Sequence, residues 1–447
     1  MLPPAVSATT GHPDGGRRVA AAVTVLILAT FAAVTAETLP VGLLSMIARD
    51  LDTTESRVGL LVSAYAVVVA VASLPLTALL GRWPRRHALT GLLAAYAVGN
   101  AVFAVTDSYA VAVAARLLAG LAHAGFFSVA VGAAVSLVPP ARAGRVTAWV
   151  FGGVTLAFTL GVPAGTALGT AVGWRWAFAG IAAVLLLLAG AATALLPAAP
   201  PPAAADPTPV RQVLRRRPVL LVVAISVVLT LGHYTAFTYV SPILRAAGVG
   251  ENSVSLVLFG YGAAGALGLV LAGALADRFP RPALIGAVVL VGLSLGAIGA
   301  FAASVVVTVT ATVVWGVAFG AQPTLLQTAT RHAAPDAGDA APGITNATTN
   351  IGIAGGGLLG GRELLVADPP VLALTGTALA ALALVLLLLA ATSSGRPAPR
   401  ARSLRAPASD AVRRASTSST RSSWRPSLRS GRSTRRDWVP PDGPPAR

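Results

Sequence analysis

Four ionisable side chains lie within long apolar runs of the sequence, and these are Glu37, Arg116, His123 and His233. An apolar surrounding disfavours the ionised form of a carboxyl group, so Glu37 is a candidate for taking up and releasing a proton. The alternative is that Glu37 forms a fixed pair with Arg116 or caps a helix that is broken at Pro40. Each histidine could titrate near neutral pH or simply pack within its helix. We predict Glu37 as the proton-carrying group.

Amides and aromatic side chains on other apolar runs could contact a small molecule. Asn346 and Asn350 are one helical turn apart, and Gln322 lies on the preceding run. These amides could line a cavity or bond one helix to another. The aromatic neighbours of His233 would suit an amphipathic guest. The predicted cavity residues are Tyr234, Phe237, Tyr239, Gln322, Asn346 and Asn350.

Several other kinds of chemistry find no support in the residues. The absence of cysteine excludes disulfides, thiolate nucleophiles and cysteine metal sites. Residues 260–265 fit the dinucleotide fingerprint, but they lie inside an apolar run with no preceding strand, and no Walker loop is present. The formal charge of +17 owes +10 to thirteen Arg and three Asp in residues 393–447, so it does not indicate nucleic acid. We expect that the protein binds no cofactor, no metal and no nucleic acid, and that it is not an enzyme.

The runs that carry these side chains must cross a membrane. The chain is 55% hydrophobic and 11% charged, whereas soluble domains carry about 25% charged residues. A helix of about 20 apolar residues crosses the hydrocarbon core with its backbone polar groups satisfied internally. Twelve such spans are predicted, at about 19–47, 57–80, 88–106, 109–137, 145–170, 174–197, 218–245, 253–276, 283–302, 304–329, 340–361 and 370–392.

The arginines between the spans predict an orientation. With both termini in the cytoplasm, 14 of the 20 arginines ahead of the tail fall in inside loops and 5 in outside loops. Residues 1–18 are then a cytoplasmic segment, and the proline-rich, basic stretch 198–217 is a cytoplasmic linker between a first half, 19–197, and a second half, 218–392. The Arg-, Ser- and Pro-rich residues 393–447 are expected to be a disordered cytoplasmic tail that is drawn to anionic lipid.

The two halves are related in sequence. Residues 55–85 align with 251–281 at a constant offset of 196 and without a gap. Two fused six-helix repeats are the simplest explanation. We therefore predict an all-α membrane protein with twelve transmembrane helices in two pseudo-symmetric halves and a substrate site between them near the midplane. The matching pairs include Glu55/Glu251, Tyr65/Tyr261, Arg82/Arg278 and Pro84/Pro280.

The loop after the second span of each half carries a motif. Residues 273–281 read Gly-Ala-Leu-Ala-Asp-Arg-Phe-Pro-Arg, which resembles the Gly-x-x-x-Asp-Arg-x-Gly-Arg-Arg loop of the major facilitator superfamily. Over 19–392 this resemblance implies the major facilitator fold, with these loops as conformational switches. Gly81 stands where the first-half carboxylate is expected, so a lock would depend on the second half or on other partners. The implied switch residues are Gly273, Asp277, Arg278 and Arg281, with Arg82, Arg85 and Arg86 in the first half.

Two elements inside the first half extend the resemblance. Residues 116–120, Arg-Leu-Leu-Ala-Gly, resemble the family's Arg-x-x-x-Gly element on the fourth span. A glycine and proline series on the fifth span resembles the element associated with its antiporters, although small residues four apart also let helices pack closely. That series consists of Gly161, Pro163, Gly165 and Gly169.

Segments starting at Glu37 and Gly232 resemble twelve-span drug/proton antiporters of the chloramphenicol-resistance and arabinose-efflux type. The resemblance implies a proton-coupled exporter of a small amphipathic molecule, such as an amphenicol, a sugar or a secreted metabolite. It would work by alternating access, as a monomer in the inner (plasma) membrane. The alternatives are proton-coupled uptake on the same fold and a membrane sensor or enzyme with a transporter-like body.

We predict that the tail is dispensable for transport, because its composition changes abruptly after Leu389 and offers nothing that could bury a core. Truncation at Gly395 should leave membrane insertion and transport rate unchanged, as measured by surface-corrected uptake or efflux assays. Loss of transport from normally inserted protein would contradict this prediction.

Overall fold

The computed structural model describes residues 13–197, 210–276, 278–335 and 340–393. Asp277 and parts of the predicted N-terminal segment, linker and tail lie outside these residues. Within the described residues the regular structure is helical. The first-half helices are α1 (Pro13–Gly42), α2 (Leu44–Asp50), α3 (Glu55–Leu80), α4 (Arg85–Val105), α5 (Tyr109–Ser136), α6 (Ala143–Leu156), α7 (Val162–Val172) and α8 (Trp174–Leu195). The following helices are α9 (Val210–Leu214), α10 (Arg217–Phe237), α11 (Val240–Ala246), α12 (Glu251–Ala276), α13 (Pro280–Ala300), α14 (Val305–Ala333), α15 (Ala340–Glu363) and α16 (Pro370–Ser393).

The helices form twelve membrane spans, as the sequence predicts. Among the described residues, 11 helical segments are long and apolar enough to cross a membrane. The 24-residue α15 is the twelfth, and its Gly, Thr and Asn content lowers its hydropathy. The first span is α1 followed by α2, the seventh is α10 followed by α11, and the fifth joins α6 to α7 through a π turn at Ala157–Gly161. The chain is therefore an all-α membrane protein, and the predicted span ends agree with the structure to within a few residues.

The second half repeats the first along its whole length. The helices α11 and α12 reproduce both ends of α2 and α3 at the offset of 196 residues. Equivalent contacts recur at the same offset: a Cβ at Gly120 would lie 2.9 Å from the carbonyl oxygen of Tyr65, and one at Gly316 would lie 2.1 Å from that of Tyr261. Only glycine permits these close approaches of α5 to α3 and of α14 to α12. Two pseudo-symmetric six-helix halves are confirmed.

Ion pairs cross between the halves on one side of the bundle. We call the side where α1 begins and α16 ends the termini side, and the opposite side, which carries connections 51–54 and 247–250, the first-loop side. There Arg49 Nη2 lies 2.9 Å from Glu251 Oε1, and Arg245 Nη1 lies 3.6 Å from Glu55 Oε1. Each residue is 196 positions from its equivalent in the other pair. The two ion pairs are thus related by the pseudo-two-fold axis of the fold.

Close backbone contacts lie beneath these ion pairs. The Ser56 hydroxyl donates to the Gly361 carbonyl at 2.7 Å. The buried Tyr239 hydroxyl donates to the Gly357 carbonyl at 2.8 Å, and a Cβ at Gly59 would lie 1.9 Å from that hydroxyl oxygen. The helices α3 and α15 therefore join the halves firmly on the first-loop side. In the fifth span, α7 and the π turn pack on α12, whereas α6, toward the termini side, contacts it much less.

Reversing one charge of a crossing ion pair should loosen the first-loop side. Glu251→Arg places a like charge opposite Arg49, and exposed ion pairs contribute little, so a modest effect is expected. The chain has no cysteine, so Ser56→Cys supplies a single reporter thiol beneath the pair. Its labelling rate by a water-soluble maleimide should rise about two- to fivefold in the Glu251→Arg protein.

The charge-swapped protein Arg49→Glu/Glu251→Arg should restore slow labelling. The control is Asp107→Arg, which disrupts the 2.6 Å ion pair between Arg175 and Asp107 within the first half and should leave the labelling rate unchanged. Equal labelling of the Ser56→Cys protein with and without Glu251→Arg would show that the crossing pairs do not help to close this side.

Candidate functional site

A proline inside α1 leaves one backbone carbonyl without its helical donor. Pro40 has no N–H, so the carbonyl of Ala36, four residues earlier, lacks the usual helical bond. Arg116 of α5 supplies the donor: its Nη1 donates to the Ala36 carbonyl at 2.9 Å and its Nη2 to the Glu37 carbonyl at 3.1 Å. The guanidinium also lies 4.5 Å from the centre of the Tyr65 ring. Arg116 is only 1% exposed, and it binds the main chain of Glu37 rather than its carboxylate.

The carboxylate of Glu37 faces a histidine. Its Oε2 lies 3.7 Å from His123 Nε2, and the side chains are 18% and 6% exposed respectively. The other imidazole nitrogen, Nδ1, is buried and has no hydrogen-bond partner in the described part of the chain. The His123 ring is 5.5 Å from Tyr65 and 5.3 Å from Phe127. Two ionisable groups thus lie side by side, with aromatic rings around them and the Arg116 guanidinium close by.

Two tyrosines complete the polar network around Glu37. The Tyr96 hydroxyl donates to the Ala33 carbonyl at 2.7 Å, one turn before Glu37 on α1. Because this bond uses the only hydroxyl proton of Tyr96, the Tyr65 hydroxyl is the donor in the 2.6 Å bond between the two tyrosines. Both are 1% exposed. The network ties α3 and α4 to the inner face of α1.

The antiporter-like glycines of the fifth span pack against α1. The π turn at Ala157–Gly161 comes just before Pro163, which has no N–H to continue the regular ladder. Every fourth position that follows on the fifth span is glycine, which lets α7 approach α1 closely. A packing role is therefore evident, and a role in export stays a prediction. A Cβ at Gly161, Gly165 or Gly169 would lie 2.0, 2.8 or 2.5 Å from Thr35, Leu39 or Leu43.

The second half carries an aromatic cluster in the equivalent place. The fully buried His233 ring stacks on Phe319 at 4.4 Å and on Phe237 at 5.3 Å between centres, with Trp315 at 4.8 Å. Tyr261 lies 5.6 Å from Trp315. We use the name aromatic cluster for His233, Phe237, Tyr261, Trp315 and Phe319. The predicted residue Tyr234 borders it, 4.9 Å from His233.

The predicted amides make bonds within the second half. Gln322 Nε2 donates to the Thr230 hydroxyl at 3.0 Å, which joins α14 to α10. Asn350 Nδ2 donates to the main-chain carbonyl of Asn346 at 3.0 Å within α15. Tyr239 lies apart from both, among the contacts on the first-loop side. The structure therefore separates the predicted cavity residues: Phe237 belongs to the aromatic cluster and Tyr234 borders it, Gln322 joins two helices, and the Asn350 amide bonds within α15.

The predicted switch residues lie on the termini side. The Arg85 guanidinium packs on α5, where a Cβ at Gly132 would lie 2.0 Å from its Nη1. Arg278 lies 5.4 Å from the centre of the Phe279 ring. Arg82, Gly273 and Arg281 are exposed, and Arg86 is partly buried. Asp277 lies outside the described residues, so a lock that includes it stays a prediction.

Most of the aromatic residues around Glu37 and in the aromatic cluster were not predicted from the sequence. Tyr65, Tyr96, Tyr261, Trp315 and Phe319 have no charge, and their spans are apolar all round. A signal was present in the repeat, because the offset of 196 extended beyond residues 55–85 pairs position 37 with 233, 65 with 261 and 123 with 319.

Comparison with curated proteins finds relatives that span almost the same length. A "Chloramphenicol efflux pump" of Mycobacterium tuberculosis is 35% identical over 377 residues, which cover 80% of this chain and 89% of the relative. A "Chloramphenicol resistance protein" of Streptomyces lividans is 35% identical over 347 residues, covering 76% of this chain and 88% of the relative.

A solved structure and a family profile agree with these relatives. The crystal structure of the nucleoside transporter NupG superposes with a TM-score of 0.70 over 83% of this chain and 99% of that chain, at 11% identity, which shows the shared fold alone. The profile of the Major Facilitator Superfamily matches residues 26–250 and 225–438. The family profile and the relatives agree with the twelve-span fold. The chain therefore belongs to the Major Facilitator Superfamily of membrane transporters.

Proposed function

We propose that this transporter exports an uncharged amphipathic drug of the amphenicol type in exchange for protons. The observation that carries the proposal is the Glu37 carboxylate, 3.7 Å from His123 inside the first span. The names of the two relatives at 35% identity supply the substrate class and the direction. We further propose that it acts as a monomer in the plasma membrane with both termini in the cytoplasm, as the loop arginines favour.

Alternating access would couple the export of the drug to the entry of protons. With the termini in the cytoplasm, the closed first-loop side is the outer side, and drug and proton exchange with the cytoplasm. Deprotonation of Glu37 toward the cytoplasm would favour drug entry, and opening to the outside would release the drug and let Glu37 take up the next proton. His123 would serve as the neighbouring acceptor. The free energy for export would then come from the proton gradient.

Arg116 would hold the turn of α1 that Pro40 leaves without a donor, rather than carry the proton. The repeat supports this role, because the equivalent of Pro40 is Ala236 and the equivalent of Arg116 is Thr312. The half without the proline, whose helix keeps its donor, also lacks the arginine. With its guanidinium engaged by two carbonyls, Arg116 leaves the Glu37 carboxylate available to His123.

A double-mutant cycle tests this positioning role. Arg116→Met leaves the Ala36 carbonyl without a donor, and a buried unsatisfied acceptor costs about 1–3 kcal/mol, so the thermal midpoint of the purified protein should fall by several degrees. Pro40→Ala returns an N–H to the helix, so Arg116→Met should cost clearly less in that background. The thermal midpoints of these variants, measured in detergent by intrinsic fluorescence, give the loss of stability caused by Arg116→Met in each background. Simple additivity would contradict the pairing of Pro40 with Arg116.

Proton release from energised inside-out vesicles tests the coupling. Adding chloramphenicol should release protons from vesicles that contain the protein, as followed with a pH-sensitive dye. Glu37→Gln should abolish the release while drug binding is retained, because the amide keeps the size of the carboxyl but carries no exchangeable charge. A panel of other amphipathic drugs and pentoses defines the substrate range.

The matched control is Glu363→Gln. Glu363 lies at the end of α15, where its Oε1 accepts a hydrogen bond from Thr375 at 2.8 Å, far along the bundle from Glu37. This variant should release protons at the wild-type rate. A full response from Glu37→Gln would remove Glu37 as the coupling group, and no response of the wild type to any amphenicol would overturn the proposed substrate.

A further inference from the structure

The two halves hold different chemistry at equivalent positions. Position 37 is Glu and its equivalent 233 is His, while 123 is His and its equivalent 319 is Phe. Tyr65 donates its hydroxyl proton to Tyr96, but the position equivalent to Tyr96 is Gly292, so Tyr261 has no such partner. In the first half both tyrosine hydroxyls are hydrogen-bonded in this way, whereas Nδ1 of His123 is buried without a partner among the described residues.

Four polar atoms of the aromatic cluster are buried and have no hydrogen-bond partner among the residues that the structure describes. They are both ring nitrogens of His233, Nε1 of Trp315 and the hydroxyl of Tyr261. His233 and Trp315 are 0% exposed and Tyr261 is 1% exposed. Leaving such groups unpaired is costly in a membrane, where no surrounding water can pair with them. Each is satisfied only if something enters the cluster.

The first half covers this cluster with one ring. Phe158 lies 5.0 Å from Phe319 and 6.3 Å from Phe237, measured between ring centres. It projects from the π turn of the fifth span, and such turns are frequent at functional sites. Beside it, the Thr159 hydroxyl donates to the Gly262 carbonyl of α12 at 3.1 Å. Rocking of the halves would move Phe158 relative to the cluster, since the ring and the cluster belong to different halves.

We propose that the aromatic cluster is the subsite for the substrate's aromatic ring, and that the ring inserts between Phe158 and the His233–Phe319 layer. The inference rests on the proposed export function and names the part of the protein that selects the substrate. The first half carries the proton at Glu37, and the second half binds the drug.

The unpaired atoms define the class of ring. A neutral imidazole offers one donor and one acceptor, an indole N–H one donor, and a phenol a donor that can also accept. Donors therefore exceed obligatory acceptors, which suits a ring substituent rich in acceptor oxygens, such as a nitro or sulfonyl group. Among the described residues, no ion pair includes His233 and no arginine lies over a ring of the cluster, so the cluster itself supplies no fixed charge for a charged ring. The flat faces of His233 and Phe319 suit a planar, electron-poor ring.

Tryptophan fluorescence of the purified full-length protein tests the subsite. Nitrophenyl groups quench indole emission, so chloramphenicol should quench Trp315 on binding. Trp315→Phe keeps an aromatic ring and should lose most of the saturable quenching. Trp176→Phe is the control, because Trp176 is 67% exposed on the bundle surface, and it should keep the quenching.

Two further variants test the donors. His233→Phe and Tyr261→Phe keep the stacked rings and remove polar atoms, so each should weaken chloramphenicol binding about three- to tenfold, the effect of one lost hydrogen bond. The half-saturating drug concentration in transport should rise by the same factor, with the maximal rate retained. A merely structural role would instead lower the maximal rate and the thermal midpoint without changing affinity.

The outcomes separate the two proposals. Wild-type affinity in His233→Phe and Tyr261→Phe, or unchanged quenching in Trp315→Phe, in protein that still exports chloramphenicol would overturn the subsite and leave the export function standing. Absence of saturable quenching and of transport in the wild-type protein would overturn the proposed substrate and the subsite together.

Discussion

The hydrogen bonds from Arg116 to the carbonyls of Ala36 and Glu37 are the interaction on which the rest of the site depends. Pro40 removes a donor from α1, and at membrane depth no water can take its place. A guanidinium supplies two donors at once, and the face of the Tyr65 ring lies beside it. Nη1 and Nη2 of Arg116 thereby donate to the backbone of α1. The Glu37 carboxyl lies beside the His123 imidazole, which suits the proton uptake and release proposed for it.

Duplication of a six-helix unit explains both the likeness and the division between the halves. The glycines at 120 and 316 preserve the same close helix contacts, and the ion pairs at the first-loop side are exchanged by the pseudo-two-fold axis. The interior has diverged. The first half has a chain of hydrogen bonds from Tyr65 through Tyr96 to α1, whereas the second has a stacked cluster whose nitrogen and hydroxyl atoms have no partner among the described residues. If the proposed proton site and drug subsite are both correct, the proton and the drug would influence each other through movement of the halves.

Small residues let the helices of the bundle pack closely. The fifth span approaches the first through glycines spaced four apart, and α15 approaches α10 in the same manner. Lipid provides no hydrophobic force between helices, so such close packing and a few hydrogen bonds hold each half together. The contacts between the halves include close glycine approaches as well, together with exposed ion pairs, single hydroxyl bonds and the Phe158 ring. Under the proposed alternating access, these contacts would be broken and remade in each transport cycle.

The sequence by itself determined the membrane class, the twelve spans and the repeat, because bilayer thickness sets the length of each apolar run and the offset of 196 is readable in the residues. It also singled out Glu37, Arg116 and His233 as ionisable groups in lipid. Only the tertiary structure decided which groups meet: Arg116 with the main chain, Glu37 with His123, and Gln322 with Thr230. The physical reason is that these spans are apolar on every side, so periodicity does not reveal how each helix is rotated about its axis. Packing of the neighbouring helices fixes that rotation and therefore the site.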